Sequence, residues 1–173
     1  IDSQYAFAFY NRGIAKDKHG DHHGALKDYN KSIEINPEYA PAYNERALSR
    51  KKIGDYQGAI ADYNKAIMID PHNADTYYNR GTIKVRRLKD YQGAIEDFNK
   101  VIDINPEDAD AFTQRGLTKS DLGDPQGAIS DFNKAIAINP QNARAYNNRG
   151  IVKYELKDYQ GAIADYNKAI EIN

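Results

Sequence analysis

The chain has 173 residues, enough for one domain or one compact array, and its charged residues (28%) nearly balance at a formal net charge of −1. Both signs are interspersed, which argues against a nucleic-acid partner or an anionic membrane, since either favours a strongly basic face. The absence of cysteine excludes disulfides and thiolate chemistry and is compatible with a reducing, cytoplasmic compartment. No apolar run approaches the roughly 18–20 residues that membrane insertion requires. The sequence starts at Ile1 and stops in mid-pattern at Asn173, so it reads as a piece of a longer series.

The stretch DYQGAIADYNKAI occurs twice, at 55–67 and at 158–170. Chemistry needs one copy of an active site, so an identical copy points to a structural unit used repeatedly. Gly24, Gly58, Gly93, Gly127 and Gly161 precede Ala and then Ile or Leu at intervals of 34, 35, 34 and 34 residues. Five units follow, at about 6–39, 40–73, 74–108, 109–142 and 143–173, forming a single array over 1–173.

The first unit carries Phe9, Arg12 and Gly13, then Asp21 as the cap of a second helix. The second unit predicts a helix from about Ala40 to Ile53, a left-handed stop at Gly54 and an N-cap at Asp55. Its second helix shows an apolar stripe of Ala59, Ile60, Tyr63, Ala66 and Ile67, and Asp70-Pro71 ends it. In the third unit TIKVRRLK holds one residue more than its counterparts, which lengthens the first helix or its turn. The fourth places Pro125 after the Asp124 cap, where a missing N–H costs nothing. The fifth repeats the second, with Asp158 as its cap. No segment alternates with period two, so no strand is expected.

These columns resemble the tetratricopeptide repeat family. The first-helix aromatic is Phe9, Tyr43, Tyr77, Phe112 or Tyr146, and the small contact residue is Gly13, Ala47, Gly81, Gly116 or Gly150. The second helix adds Ala25, Ala59, Ala94, Ala128 and Ala162, then Tyr29, Tyr63, Phe98, Phe132 and Tyr166. The resemblance implies an all-α fold, a right-handed α-solenoid of helix–turn–helix hairpins whose first helices line a concave groove. It also implies a protein–protein interaction scaffold that holds a peptide or a partner helix there.

Two columns depart from the family pattern. Arginine replaces its usual leucine at Arg12, Arg46, Arg80, Arg115 and Arg149, and a second cation follows at Lys16, Arg50, Lys84, Lys119 and Lys153. The second helix supplies one acid per unit, Asp28, Asp62, Asp97, Asp131 and Asp165. The favoured reading is a structural charge ladder, because buried charges are usually paired and a guanidinium grips a carboxylate at two points. The second-column stems are expected to lie over the aromatics with their charged heads in solvent. The competing reading is a basic stripe for an anionic ligand.

By the resemblance, the inward-facing columns would place the candidate peptide groove at Tyr10, Asn11, Ile14, Asn44, Glu45, Leu48, Tyr78, Asn79, Thr82, Gln114, Leu117, Asn147, Asn148 and Ile151, with Thr113 in the same column as Asn44. Its row of amides suits an extended backbone of any sequence, because a carboxamide both donates and accepts. This looks like the asparagine ladder of the O-linked N-acetylglucosamine transferases. The cation set with which chaperone-tail adaptors of the family clamp a carboxylate is missing. His19, His22 and His23 cluster around Asp21, yet adjacent helical side chains diverge, so neither a metal nor another cofactor is expected. No nucleophile has a base and an orienter, so an enzyme within these residues is not expected. A self-assembling scaffold that pairs through its apolar array ends, giving a homo-oligomer, and an accessory domain of a larger enzyme are the alternatives.

Overall fold

The computed structural model describes residues 4–172, and among these it contains ten α-helices and no strand. The chain divides into two compact units, Ile1–Ile83 and Lys84–Asn173. The first holds α1 (Gln4–Lys18), α2 (His22–Ile35), α3 (Ala40–Lys52), α4 (Tyr56–Ile69) and α5 (Ala74–Ile83). The second opens with a π-helical turn (Lys84–Leu88), followed by α6 (Tyr91–Ile104), α7 (Ala109–Asp121), α8 (Pro125–Ile138), α9 (Ala143–Glu155) and α10 (Tyr159–Ile172). Within each unit, consecutive helices pack as hairpins and each hairpin stacks on the next.

A short cap starts each second helix. Asp55 accepts a hydrogen bond from the Gly58 backbone N–H at 2.9 Å, and Asp21, Asp90, Asp124 and Asp158 do the same for the glycine three residues on. A Cβ at Gly58 would lie 2.1 Å from the Asp55 carboxylate, which explains why glycine recurs there. The residue before each cap turns left-handed. Gly20, Gly54 and Gly123 have φ near +85° to +89°, whereas Lys89 and Lys157 adopt +55° and +66° with a side chain attached.

The extra residue of the third repeat sits in the π-helical turn. In four repeats the cap N–H donates to a carbonyl five residues back, as from Asp55 to Arg50 at 2.9 Å. From Asp90 the bond reaches six residues back, to Lys84, at 3.0 Å. One wide turn thus absorbs the insertion and leaves the cap in place.

The core is a line of small residues and rings. Ala25, Ala42, Ala47, Ala59, Ala94, Ala111, Ala128 and Ala145 are fully buried beside Tyr29, Tyr63, Phe98 and Phe132. Small residues let the helices approach: a Cβ on Gly150 would meet the Tyr166 ring at 2.8 Å.

Charge runs through this core. Arg12 grips Asp28 at 2.8 and 2.6 Å, Arg46 grips Asp62 at 2.9 and 2.6 Å, and Arg115 grips Asp131 at 2.9 and 2.7 Å. Arg149 holds Asp165 in the same bidentate way. Each of these carboxylates is buried. The second cation column does not leave its charge in solvent, contrary to expectation. Lys16, Arg50, Lys84, Lys119 and Lys153 reach Asp28, Asp62, Asp97, Asp131 and Asp165 at 2.8–2.9 Å. A buried carboxylate with several lone pairs rewards a second donor more than water rewards the ammonium group. The Arg12 fork is the main influence that lowers the pKa of Asp28; for Asp165, burial pushes upward but Arg149 and Lys153 outweigh it.

A further column binds successive hairpins. Asn30 accepts from Arg46 at 2.7 Å, Asn64 from Arg80 at 2.6 Å, Asn99 from Arg115 at 2.6 Å and Asn133 from Arg149 at 2.5 Å. Each arginine also lies over its own helix's aromatic, with 5.2–5.6 Å from Cζ to the ring centroid.

Two stability changes follow. Arg115→Leu leaves buried Asp131 with Lys119 alone and is expected to cost about 2–4 kcal/mol in urea unfolding, with part restored by adding Asp131→Leu. A neutral single change would mean that the pair contributes nothing. Lys157→Gly relieves left-handed strain and is expected to stabilise by about 0.5–1 kcal/mol, a raised melting temperature being the readout.

Candidate functional site

The first unit contains a cleft of about 300 Å³ whose walls come from three helices. Ala40, Pro41, Asn44, Glu45 and Leu48 of α3 form one side, Tyr63 of α4 forms the floor, and Asp75, Thr76 and Asn79 of α5 form the other side. Tyr10 of α1, with Asp70 and Asn73 from the α4–α5 turn, completes the lining. The lining carries three carboxylates and no cation.

Local structure fixes these groups. The Thr76 hydroxyl donates to the Asn44 carboxamide oxygen at 2.9 Å, so the amide nitrogen is the donor that Asn44 keeps for other partners. Asn73 and Asp70 each accept a backbone N–H of their own turn, from Thr76 at 3.2 Å and His72 at 3.1 Å. Tyr63 is 1% exposed, and its hydroxyl takes no hydrogen-bond partner. Burial raises its pKa, with Glu45 and Asp62 acting in the same direction.

Glu45 is the electrostatically uncomfortable member. Burial raises its pKa above the usual carboxylate value and Asp17 adds to the rise, while Lys52 and Lys18 pull it down. Asp17 is itself buried, bonded to His22 Nδ1 at 2.5 Å and to Lys52 Nζ at 3.1 Å. Burial pushes the Asp17 carboxyl upward, but its partners outweigh that and hold it lowered. Sequence reasoning missed Asp17 as a neighbour of the groove. The signal was present: the corresponding residues of the other repeats are Lys51, Val85, Ser120 and Tyr154.

The remaining candidate residues are dispersed. Asn11 is exposed, and Ile14, Tyr78 and Thr82 are half-buried, with the Thr82 hydroxyl bonded to the Tyr78 carbonyl at 2.8 Å. In the second unit Gln114 accepts from Arg144 at 3.4 Å, and Leu117 packs on the cluster of Ala128, Phe132 and Val152. Thr113 is fully buried and bonds the Ala109 carbonyl, so it lines no groove. Asn148 is half-buried and Ile151 is exposed. Asn147 lines a wider cleft of about 660 Å³ with Ala143, Arg144, Tyr166, Ala169 and Ile170.

Among the described residues, no group of three or more His, Asp or Glu gathers around a point that could hold a metal ion. No described helix is long and apolar enough to cross a membrane.

Tetratricopeptide repeat models match residues 6–39 and 143–173, 28–61 and 74–108, and a TPR repeat model matches 49–86 and 120–157. A comparison with curated proteins gives no match. Among solved structures, a crystal structure of MamA is 28% identical with a TM-score of 0.88, covering 92% of this chain and 93% of that one. A second MamA structure is 26% identical with a TM-score of 0.91, covering 99% and 93%. YrrB, described as a TPR protein with an unusual peptide-binding site, is 24% identical with a TM-score of 0.83 over 97% of this chain and 86% of its own, and that likeness concerns the fold. Period, hairpin and matched models agree: the chain belongs to the tetratricopeptide repeat family, with the all-α solenoid fold of a protein-interaction scaffold.

Proposed function

We propose that the cleft between α3, α4 and α5 binds an extended peptide that carries a basic side chain. The observation that carries this reading is the lining: Asn44 and Asn79 beside Glu45, Asp70 and Asp75, with no cation. Carboxamides satisfy a peptide backbone whatever its sequence, and the carboxylates select what projects from it. Glu45 ionises against burial and Asp17, so a lysine or arginine from the ligand relieves an existing penalty.

Titration calorimetry with paired peptides, one containing lysine and one with alanine in its place, tests this. The lysine peptide is expected to bind more tightly, and Glu45→Gln or Asn79→Ala should each weaken it by about tenfold with little change in melting temperature. Affinity should rise with pH through the raised Glu45 pKa, because only the ionised carboxylate attracts the cation. Equal binding of both peptides, or unchanged binding by both variants, would move the interaction elsewhere.

A second reading, self-association of the scaffold, is supported by one observation: Ile163 and Ile170 on α10 are 53% and 74% exposed.

A further inference from the structure

We infer that Asp17, which lies outside the lining of the α3–α4–α5 cleft, makes that cleft selective for a cation: it neutralises Lys52 and so leaves the Glu45 carboxylate for the ligand. The inference rests on the proposed reading of the cleft and adds the residue that sets its preference.

Three departures from the repeat columns meet in the first unit. Glu45 is the acid in a column that otherwise reads Asn11, Asn79, Gln114 and Asn148. Asp17 is the acid in a column of Lys51, Val85, Ser120 and Tyr154. His22 stands where the other repeats have Tyr56, Tyr91, Pro125 and Tyr159. The three come from α3, α1 and α2, yet they act on one another: Asp17 Oδ1 is 2.5 Å from His22 Nδ1, and the Asp17 charge bears on Glu45.

The cleft lining holds no cation, but Lys52 of α3 and Lys18 of α1 both act on Glu45 from outside it. Lys52 follows Glu45 by seven residues, so the two leave the same face of α3. Unopposed, the Lys52 ammonium group would offset the Glu45 charge, and a ligand cation would meet a carboxylate already compensated. Asp17 prevents this. Its Oδ2 accepts from Lys52 Nζ at 3.1 Å while Oδ1 is taken by His22, so both oxygens are committed and the carboxylate is fixed in one orientation. The Asp17 side chain is 6% exposed, where water screens its charge little, whereas that of Lys52 is 45% exposed. Glu45 itself forms no ion pair among the described residues.

No other neighbour does the same. Tyr10 of α1, Tyr29 of α2 and Tyr63 of α4 stand near Glu45, and burial, with Glu45 adding to it, pushes the pKa of each upward, so all three are neutral at neutral pH. Asp75 belongs to the opposite wall of the cleft and Asp70 to the α4–α5 turn. Asp17 therefore acts on Glu45 in two ways. It repels the charge on Glu45, which raises the pH at which that group ionises, and it cancels the cation that would compete with the ligand.

Two measurements test the inference: the ionisation midpoint of Glu45, followed by carbon NMR without ligand, and calorimetry with the lysine and alanine peptides. Asp17→Asn is expected to lower the midpoint and to weaken the lysine peptide by about tenfold, with the alanine peptide unchanged. Adding Lys52→Gln should recover most of both effects, which a merely structural role for Asp17 would not allow. Lys52→Gln alone, at a half-exposed position that leaves the Asp17–His22 bond in place, should raise the midpoint and bind the lysine peptide at least as tightly as the wild type. Circular dichroism and melting check that each variant keeps its fold. A Glu45 midpoint that Asp17→Asn leaves in place would overturn the inference, whatever the cleft binds. So would a loss of lysine-peptide affinity that Lys52→Gln does not recover. Equal binding of the two peptides by the wild-type chain would overturn the cleft reading and the preference built on it, while the ligand-free midpoint still shows whether Asp17 cancels Lys52.

Discussion

Much of this structure depends on one guanidinium group, used five times. In each repeat it lies over an aromatic ring of its own helix, and in four of them it also takes an asparagine from the hairpin before. At Arg12, Arg46, Arg115 and Arg149 it grips a buried carboxylate of its own hairpin as well. A leucine at this position would cover apolar surface and little else. A planar fork with five fixed donors dictates distance and direction at once, so it sets both the closure of a hairpin and its register on the previous one.

Such a device is costly in isolation, because a buried charge must recover its lost hydration through partners. Here Asp28, Asp62, Asp131 and Asp165 each receive a second cation, so their lone pairs are met from two directions, and Asp97 receives Lys84 from the same column. The arrangement also explains the smallness of the rest of the core. With the helices held by directional bonds, alanines and glycines can fill the contact line, and the rings of Tyr29, Tyr63, Phe98 and Phe132 supply most of the bulk. Stability in such a stack is a sum of hairpins and junctions, so an insertion is tolerated where it touches neither. The π-helical turn at Lys84–Leu88 is that case: the extra residue widens one turn, while the Asp90 cap and the Lys84–Asp97 bond remain.

The hairpins, their caps and the all-α class were legible because they repeat: a column present five times identifies a helix face without any homologue. The ring that meets each small residue followed from the same columns. The asparagine between hairpins was equally visible, as Asn30, Asn64, Asn99, Asn133 and Asn167, and was passed over because an exposed amide after an aromatic looks like ordinary solvated surface. The fate of the second cation column was misjudged for a different reason. Spacing tells which face a lysine leaves from, but not whether a carboxylate waits within reach of its long stem. The cleft was least legible. Asp17 of α1, Tyr63 of α4, and Asp70 and Asn73 of the α4–α5 turn come from three different segments of the first unit, and only folding brings them near Glu45 and Asn79.

Because the scaffold is so uniform, specificity has to reside in the residues that it leaves free. One position on the first helix shows this: it holds Pro41, Asp75, Asp110 and Arg144 in successive repeats. Asp75 adds to the negative lining of the cleft in the first unit, whereas Arg144 in the second unit extends toward Gln114 and leaves a cation beside Asn147. The two clefts share their carboxamide and their tyrosine floor but differ in charge. On the proposed reading, a ligand that uses only its backbone would fit either cleft, and one with a basic side chain would be attracted to the first and repelled by the other. The shared arginine–asparagine bond therefore holds successive hairpins together within each unit, while on the proposed reading single substitutions at the cleft rims would decide what each one holds.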